Sequence, residues 1–217
     1  MDWVTIVVAT YGENGWDEIA ERCAVPSALK QGVDVISVHL PTGTLAEARN
    51  EALRRVRTEF VIFLDGDDEL EPGYVDAMAT GTADLRAPAL TQYYRGSLFT
   101  EPFMPKVFMH RHDCEPDCLR VGNWLVIGTC ARAQLLRDVG GWEEWPWSED
   151  WQLWAKAWKA GASVEAIPDA VYKAHIASNG RNRQYSTFQI RQIHRDIEMS
   201  VWGDLVDPQQ HPERIGR

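Results

Sequence analysis

WVTIVVAT, from Trp3 to Thr10, is a β-branched run with no polar alternation. A strand that is apolar on both sides must be covered on both sides, so it belongs inside a parallel sheet with helices over each face. No other stretch limits the fold of this chain as strongly. The run ends in YGENG, a turn, and an amphipathic segment to about Lys30 leads to a second buried strand near Val33 to Leu40. TGTLAE then pairs Thr44 with Glu47 as a capping box, opening a helix whose apolar positions are Leu45, Ala48, Ala52 and Val56. A third strand, Phe60 to Leu64, runs directly into DGDDEL. Strand, helix, strand, helix, strand predicts an open, mainly parallel α/β sheet with right-handed crossovers.

Beyond it, Pro72 suits the first turn of a helix to about Ala79, and Ala83 to Leu90 reads as another strand. The aromatic and proline-containing region 91–123 is expected to form a β-ribbon or an ordered loop over the crevice. LVIGTCARAQLLRDVGGW gives a short strand, a helix from about Arg132 to Val139 and a Gly-Gly stop. Ser148 can cap the next helix, on which Trp151, Trp154, Ala155 and Trp158 fall on one face, a tryptophan stripe suited to a core. Ser163 to Ile167 and Val171 to His175 read as short strands. A last helix, about Ser186 to Val201, carries Ile190, Ile193, Ile197 and Val201 on one face. The expected organisation is one domain over residues 1–203 and a tail over 204–217, with no internal repeat.

The bulk properties narrow the function classes. A chain of 217 residues with 45% hydrophobic content can bury a substantial core. Its net charge of −10 gives no global reason to bind nucleic acid or an anionic bilayer, although a local basic patch could still touch phosphate. The first apolar stretch is too short to span a membrane and lacks a signal peptide's basic flank and cleavage site, so a soluble, cytoplasmic protein is expected. Four cysteines, with Cys23 and Cys130 isolated, read as reduced thiols. In HRHDCEPDC, the residues His110, His112, Cys114 and Cys118 are competent zinc ligands, but their spacing is no standard finger; a polar loop and a structural zinc site both remain open.

In open α/β sheets ligands bind outside the carboxyl ends of the strands, where both ATYGE and LDGDD lie. Three carboxylates at a strand end, Asp65, Asp67 and Asp68, repel one another at neutral pH; a divalent cation would hold them together, and a solvated turn is the plain alternative. Arg49, on the capped helix, could reach phosphate or ribose, or form a surface salt bridge near Glu51. Thr10 and Tyr11 could cradle a nucleobase or simply edge the core. Glu149 and Asp150 fall in the first turn of a helix, whose dipole favours their ionised forms; a carboxylate held so near the crevice can serve as a general base, or merely stabilise the helix start. His175, followed by Arg181 and Arg183, could bind a metal and a phosphate, or lie in a surface loop.

Taken in order, VVATYGE, LAEARNEAL, EFVIFLDGDDELEPGY, GTCARAQLLRDVGGWEE, SEDWQLWAKAWKAG and YKAHIASNGR resemble the GT-A-fold glycosyltransferases, most closely glycosyltransferase family 2. The resemblance runs from about Val4 to Arg183. It implies a Rossmann-like, nucleotide-diphospho-sugar transferase domain that moves a sugar from a nucleotide diphosphate sugar donor to an acceptor hydroxyl, with inversion, using Mn²⁺ or Mg²⁺. Residue by residue it implies that Thr10, Tyr11 and Glu13 contact base and ribose, with Arg49 near the base or diphosphate. Asp65 would touch ribose or metal, Asp67 would be the main metal ligand, and Asp68 would support it. Asp150 would be the base, Glu149 its neighbour, His175 a further metal ligand and Arg181 a substrate contact. His39 stands where many members carry an acidic residue, so base recognition is expected to differ. The acceptor is left open among protein, glycan, lipid and modified nucleobase. Two rival readings stand beside it: a nucleotidyltransferase, which needs a basic, glycine-rich loop where YGENGWDE is acidic, and a non-catalytic nucleotide-sugar-binding module.

Overall fold

The computed structural model describes residues 3–104, 118–145, 148–176 and 186–203. In chain order the elements are β1 (Val4–Tyr11), α1 (Trp16–Arg22), α2 (Ala24–Leu29), β2 (Asp34–Leu40), α3 (Leu45–Arg55), β3 (Phe60–Leu64), β4 (Glu69–Leu70) and α4 (Tyr74–Met78). They continue with β5 (Leu85–Tyr94), β6 (Ser97–Phe103), α5 (Cys118–Val121), β7 (Cys130–Arg132), α6 (Ala133–Asp138), α7 (Glu149–Lys159), β8 (Val164–Ile176) and α8 (Thr187–Trp202).

The strands form one sheet in the order β2-β1-β3-β7-β5-β8-β4, with β6 added to β5. As its apolar run predicts, β1 is buried inside the sheet: Val4, Ile6, Val7 and Val8 have no exposed surface, and β2 and β3 flank it in parallel. The sheet is mixed beyond that parallel core. β7 runs antiparallel to both β3 and β5, β6 is antiparallel to β5, and β4 to β8. Only β5 with β8 restores a parallel pair. A three-residue β7 followed at once by α6 needs no crossover, which permits the antiparallel insertion.

Several local expectations shift. The segment to Lys30 breaks at Cys23 into α1 and α2. Thr44 makes the expected capping box with Glu47. Ser148 does not cap α7 with its side chain; its φ of 54° places it in the left-handed region instead. The two short strands expected at 163–167 and 171–175 are one strand, β8, with a register irregularity after its partner Pro88. The ribbon expected after Thr91 is present as the hairpin of β5 and β6.

Helix α7 lies between two apolar clusters. Trp154, Leu153 and Ala157 join the main core, while Trp151 and Ala155 pack with Ile193, Ile197 and Val201 of α8. The tryptophan stripe is therefore core, split between two sides of the helix. The side chains of Ile190 and Cys118, together with His110, His112, Cys114, Arg181, Arg183 and the tail 204–217, lie outside what is described. No helix among the described residues is long and apolar enough to cross a membrane.

Candidate active site

The registers align the carboxyl ends of the parallel strands: Tyr11 pairs with Leu40 and Val8 with Leu64, so the turns after β1 and β3 open on one edge. There a cleft of about 790 Å³ is lined by Thr10 and Tyr11 from β1, Arg49 from α3, Asp65 to Asp68 after β3, Asn123, Glu149 and Asp150 from α7, and His175 from β8. Every candidate residue within the described chain lines it except Glu13, which is exposed in the turn after β1.

Arg49 organises the cleft. Its guanidinium is 2% exposed, donates from Nη2 to Asp65 Oδ1 at 2.7 Å and from Nη1 to Glu149 Oε1 at 3.0 Å, and stacks 4.2 Å from the centre of the Trp142 ring. Burial works against its charge, but Asp65 and Glu149 outweigh burial and hold it protonated. The surface pair near Glu51 does not form with Arg49; Glu51 binds Arg54 and Arg55. The neighbouring residue fixes the stacking ring: Asn50 donates to the Trp142 carbonyl at 2.8 Å and accepts from its amide at 2.9 Å. Gly141, with φ of 71°, makes this clamp possible, because a Cβ there would fall 2.5 Å from Asn50 Oδ1.

The three aspartates differ sharply. Asp65 is salt-bridged, yet its side chain stays 37% exposed and can still face a ligand. Asp68 is buried, with Oδ2 accepting from the Tyr172 hydroxyl at 2.8 Å and Oδ1 from the His175 amide at 2.7 Å. Burial, then repulsion from Asp65 and Asp67, pushes its carboxyl well above the usual range. Asp67 is pushed up too, by burial and then by Asp65, while His175 pulls the other way. Among the described residues the only hydrogen bond acting on its carboxylate comes from its own amide. Asp67 is thus a half-buried carboxylate with free lone pairs beside two others, the donor set a hard divalent cation fits. His175 lines the same cleft, and its Nε2 lies 2.8 Å from Glu69 Oε1.

The second acidic pair is arranged for a different task. Glu149 is occupied by Arg49, whereas Asp150 accepts from Asn123 Nδ2 at 2.9 Å. Burial and then the Glu149 charge push the Asp150 carboxyl up to about 6, against the opposing effects of the Trp151 amide, Arg49 and Asn123. At neutral pH it is ionised and a competent proton acceptor. At the other end of the cleft Thr10 Oγ1 lies 2.9 Å from His39 Nδ1, tying the ends of β1 and β2 together.

Asn50 and Tyr172 have no place in the sequence reading, and Asn123 and Trp142 fall in it only within segments, 91–123 and 142–147, expected to contact acceptor and sugar. Asn123 lies in the region whose pattern is weakest, and the others act through contacts 92 to 107 residues apart, which no local spacing encodes.

Comparisons with known proteins agree with this geometry. The model of the family described as Glycosyl transferase family 2 matches residues 6–137. No curated protein matches the chain. Among solved structures, S. aureus TarS 1-349 in complex with UDP-GlcNAc matches with a TM-score of 0.64 and 14% identity, covering 98% of this chain and 70% of that one. The same protein in complex with UDP matches with a TM-score of 0.58 and 16% identity over 97% and 69% of the two chains. At such identities the likeness carries the fold, and it is the GT-A fold. The family match ends before Asp150 and His175, whereas the structural matches span the whole cleft.

Proposed function

The chain belongs to glycosyl transferase family 2, and from that premise we propose that it is a metal-dependent, inverting glycosyltransferase that moves a sugar from a nucleotide diphosphate sugar to an acceptor hydroxyl. One observation carries the reading: Asp67, with free lone pairs, and Asp150, with an acceptor-like carboxylate, line the same cleft and are joined through the Asp65–Arg49–Glu149 bridge. Asp67 and His175 would hold Mn²⁺ or Mg²⁺, which when bound neutralises charge on the donor diphosphate. Thr10 and Tyr11 bind the nucleoside, Asp65 accepts from the ribose, and Asp68 keeps the turn in place through Tyr172 and the His175 backbone. Arg181, outside the described residues, and exposed Glu13 are kept as donor contacts on the resemblance alone. Asp150 takes the acceptor hydroxyl proton as that oxygen attacks the anomeric carbon opposite the departing nucleotide. Glu149, neutralised by Arg49, leaves that proton to Asp150 and raises its affinity for it.

The donor is best sought first among uridine nucleotides, because the S. aureus TarS structures hold UDP-GlcNAc and UDP on the same fold. A panel of nucleotide sugars, titrated calorimetrically with and without Mn²⁺, tests the reading. Binding of one member with metal, lost in Asp67→Ala, is the expected outcome. Equal binding of free nucleotide and all sugars, unaffected by Asp67→Ala, would overturn it. A triphosphate converted to nucleotide sugar and pyrophosphate would instead favour the nucleotidyltransferase.

A further inference from the structure

Cys23 and Glu69, which have no part in the transfer just described, converge with His175 beside the acidic turn. Cys23, at the break between α1 and α2, places Sγ 3.9 Å from Glu69 Oε1, and His175 places Nε2 2.8 Å from the same oxygen. The ligand atoms of Cys23, Glu69 and His175 all lie within 4.8 Å of one another. The main-chain oxygens of Asp67 and Asp68 also stand 3.3 and 3.7 Å from the sulfur. Lys173 Nζ stands 3.1 Å from each carboxylate oxygen of Glu69, so the cluster shares Oε1 with that ion pair. The Glu69 and His175 side chains are 32% and 29% exposed, so an ion can enter from solvent.

We propose that Cys23, Glu69 and His175 form a binding site for a thiophilic divalent cation of the Zn²⁺ class, separate from the oxygen-rich position at Asp67. A tetrahedral ion with bonds of about 2.0–2.3 Å sets its ligand atoms about 3.3–3.6 Å apart, so the two contacts at Glu69 need shifts of only about half an ångström. Sulfur and imidazole select this class of ion, whereas carboxylates alone favour Mg²⁺ or Mn²⁺. Binding forms a sulfur–metal bond and releases the thiol proton to solvent. If His175 also serves the donor metal, a point that rests on the proposed function, occupation of the cluster withdraws it and inhibits transfer.

Titration with Co²⁺ reads the cluster directly, because a thiolate ligand gives an intense charge-transfer absorption independent of any catalysis. One equivalent is expected to produce the band in the wild-type chain, in Asp67→Ala and in a Cys114→Ser/Cys118→Ser double variant, and Zn²⁺ should displace it. Cys23→Ser, or Cys23→Ala should the serine variant fail to fold by circular dichroism, should lose the band. Losing a direct ligand should weaken Zn²⁺ at least as much as the roughly 10–100-fold typical of outer-shell partners. In transfer assays with Mn²⁺, the Cys23 variants should keep basal activity and resist Zn²⁺. No band in the wild-type chain, a band surviving in the Cys23 variants, or a band lost with Cys114 and Cys118 would each overturn the site. A band lost in Asp67→Ala would overturn its separateness. Should the donor panel fail, the cobalt band still decides this proposal alone.

Discussion

The cleft contains two acidic clusters, and they resolve their charge differently. After β3, three aspartates crowd together: one leans on Arg49, one is buried under Tyr172 and the His175 amide, and Asp67 has no partner side chain among the described residues. At the start of α7 there are only two carboxylates, and the same arginine neutralises one of them, leaving Asp150 to carry the raised affinity for a proton. In the proposed reaction the turn would take an added cation, while the pair sorts its protons internally. One guanidinium contacts both clusters, so donor binding and acceptor activation would share a support.

Breaking that support should have the largest effect. Arg49→Ala leaves Asp65 and Glu149 without their cation and is expected to cost about 3–5 kcal/mol of stability, read by thermal or urea unfolding, with transfer abolished. Arg49→Lys keeps the charge but not the two-armed reach, and should fold while transferring slowly. A loss below about 1 kcal/mol for the alanine variant, the scale of a surface pair, would deny the shared support.

Asp150→Asn separates the clusters. It should lower kcat by about 10²–10⁴-fold, the usual contribution of a general base, with metal-dependent donor binding intact by calorimetry. Its stability effect has a defined sign. With the carboxyl raised from an ordinary 3.8 to about 6, the folded protein binds the extra proton, so this group's contribution to stability is full below about pH 4 and falls as pH rises through 6. The asparagine variant should thus gain on the order of 3 kcal/mol at pH 7 relative to its difference at pH 4. A pH-independent difference would mean that Asp150 is not held as described.

Asp67→Ala makes the opposite contrast: donor binding lost, stability unchanged or slightly higher, because a carboxylate strained by its neighbours is removed. Marked destabilisation in differential scanning calorimetry would argue for a structural role instead. The smallest effect is expected from Asn123→Ala. Without the Nδ2 donor the Asp150 carboxylate loses about 0.5–1.5 kcal/mol, so the acid limb of kcat/KM near pH 6 should move upward by roughly half to one unit. A limb that stays still, or moves down, would remove Asn123 from the account.

How much of this could be read beforehand follows the range of the interactions. WVTIVVAT announced a central strand because burial on both faces leaves a local mark, and Thr44 with Glu47 announced a helix start because the capping box closes within three residues. The antiparallel β7 left no such mark, being three residues long. Asp65, Asp67 and Asp68 were legible as a cluster, but their division of labour depends on Tyr172 and the His175 backbone, more than a hundred residues away. Arg49 was legible as a basic residue in the right place, yet its burial between two carboxylates and the Trp142 ring belongs to the tertiary structure alone.

The bridge also carries a consequence for the newly made chain. Arg49 and Glu149 are 100 residues apart, and at about 5–20 residues per second a ribosome needs roughly 5–20 s to produce the second partner after the first. During that interval β1, α3 and β3 can already assemble, with Asp65 as the only anion for a guanidinium destined for burial. The amino-terminal half therefore waits with one of the two Arg49 ion pairs unmade, and arrival of α7 supplies Glu149 and completes the cleft.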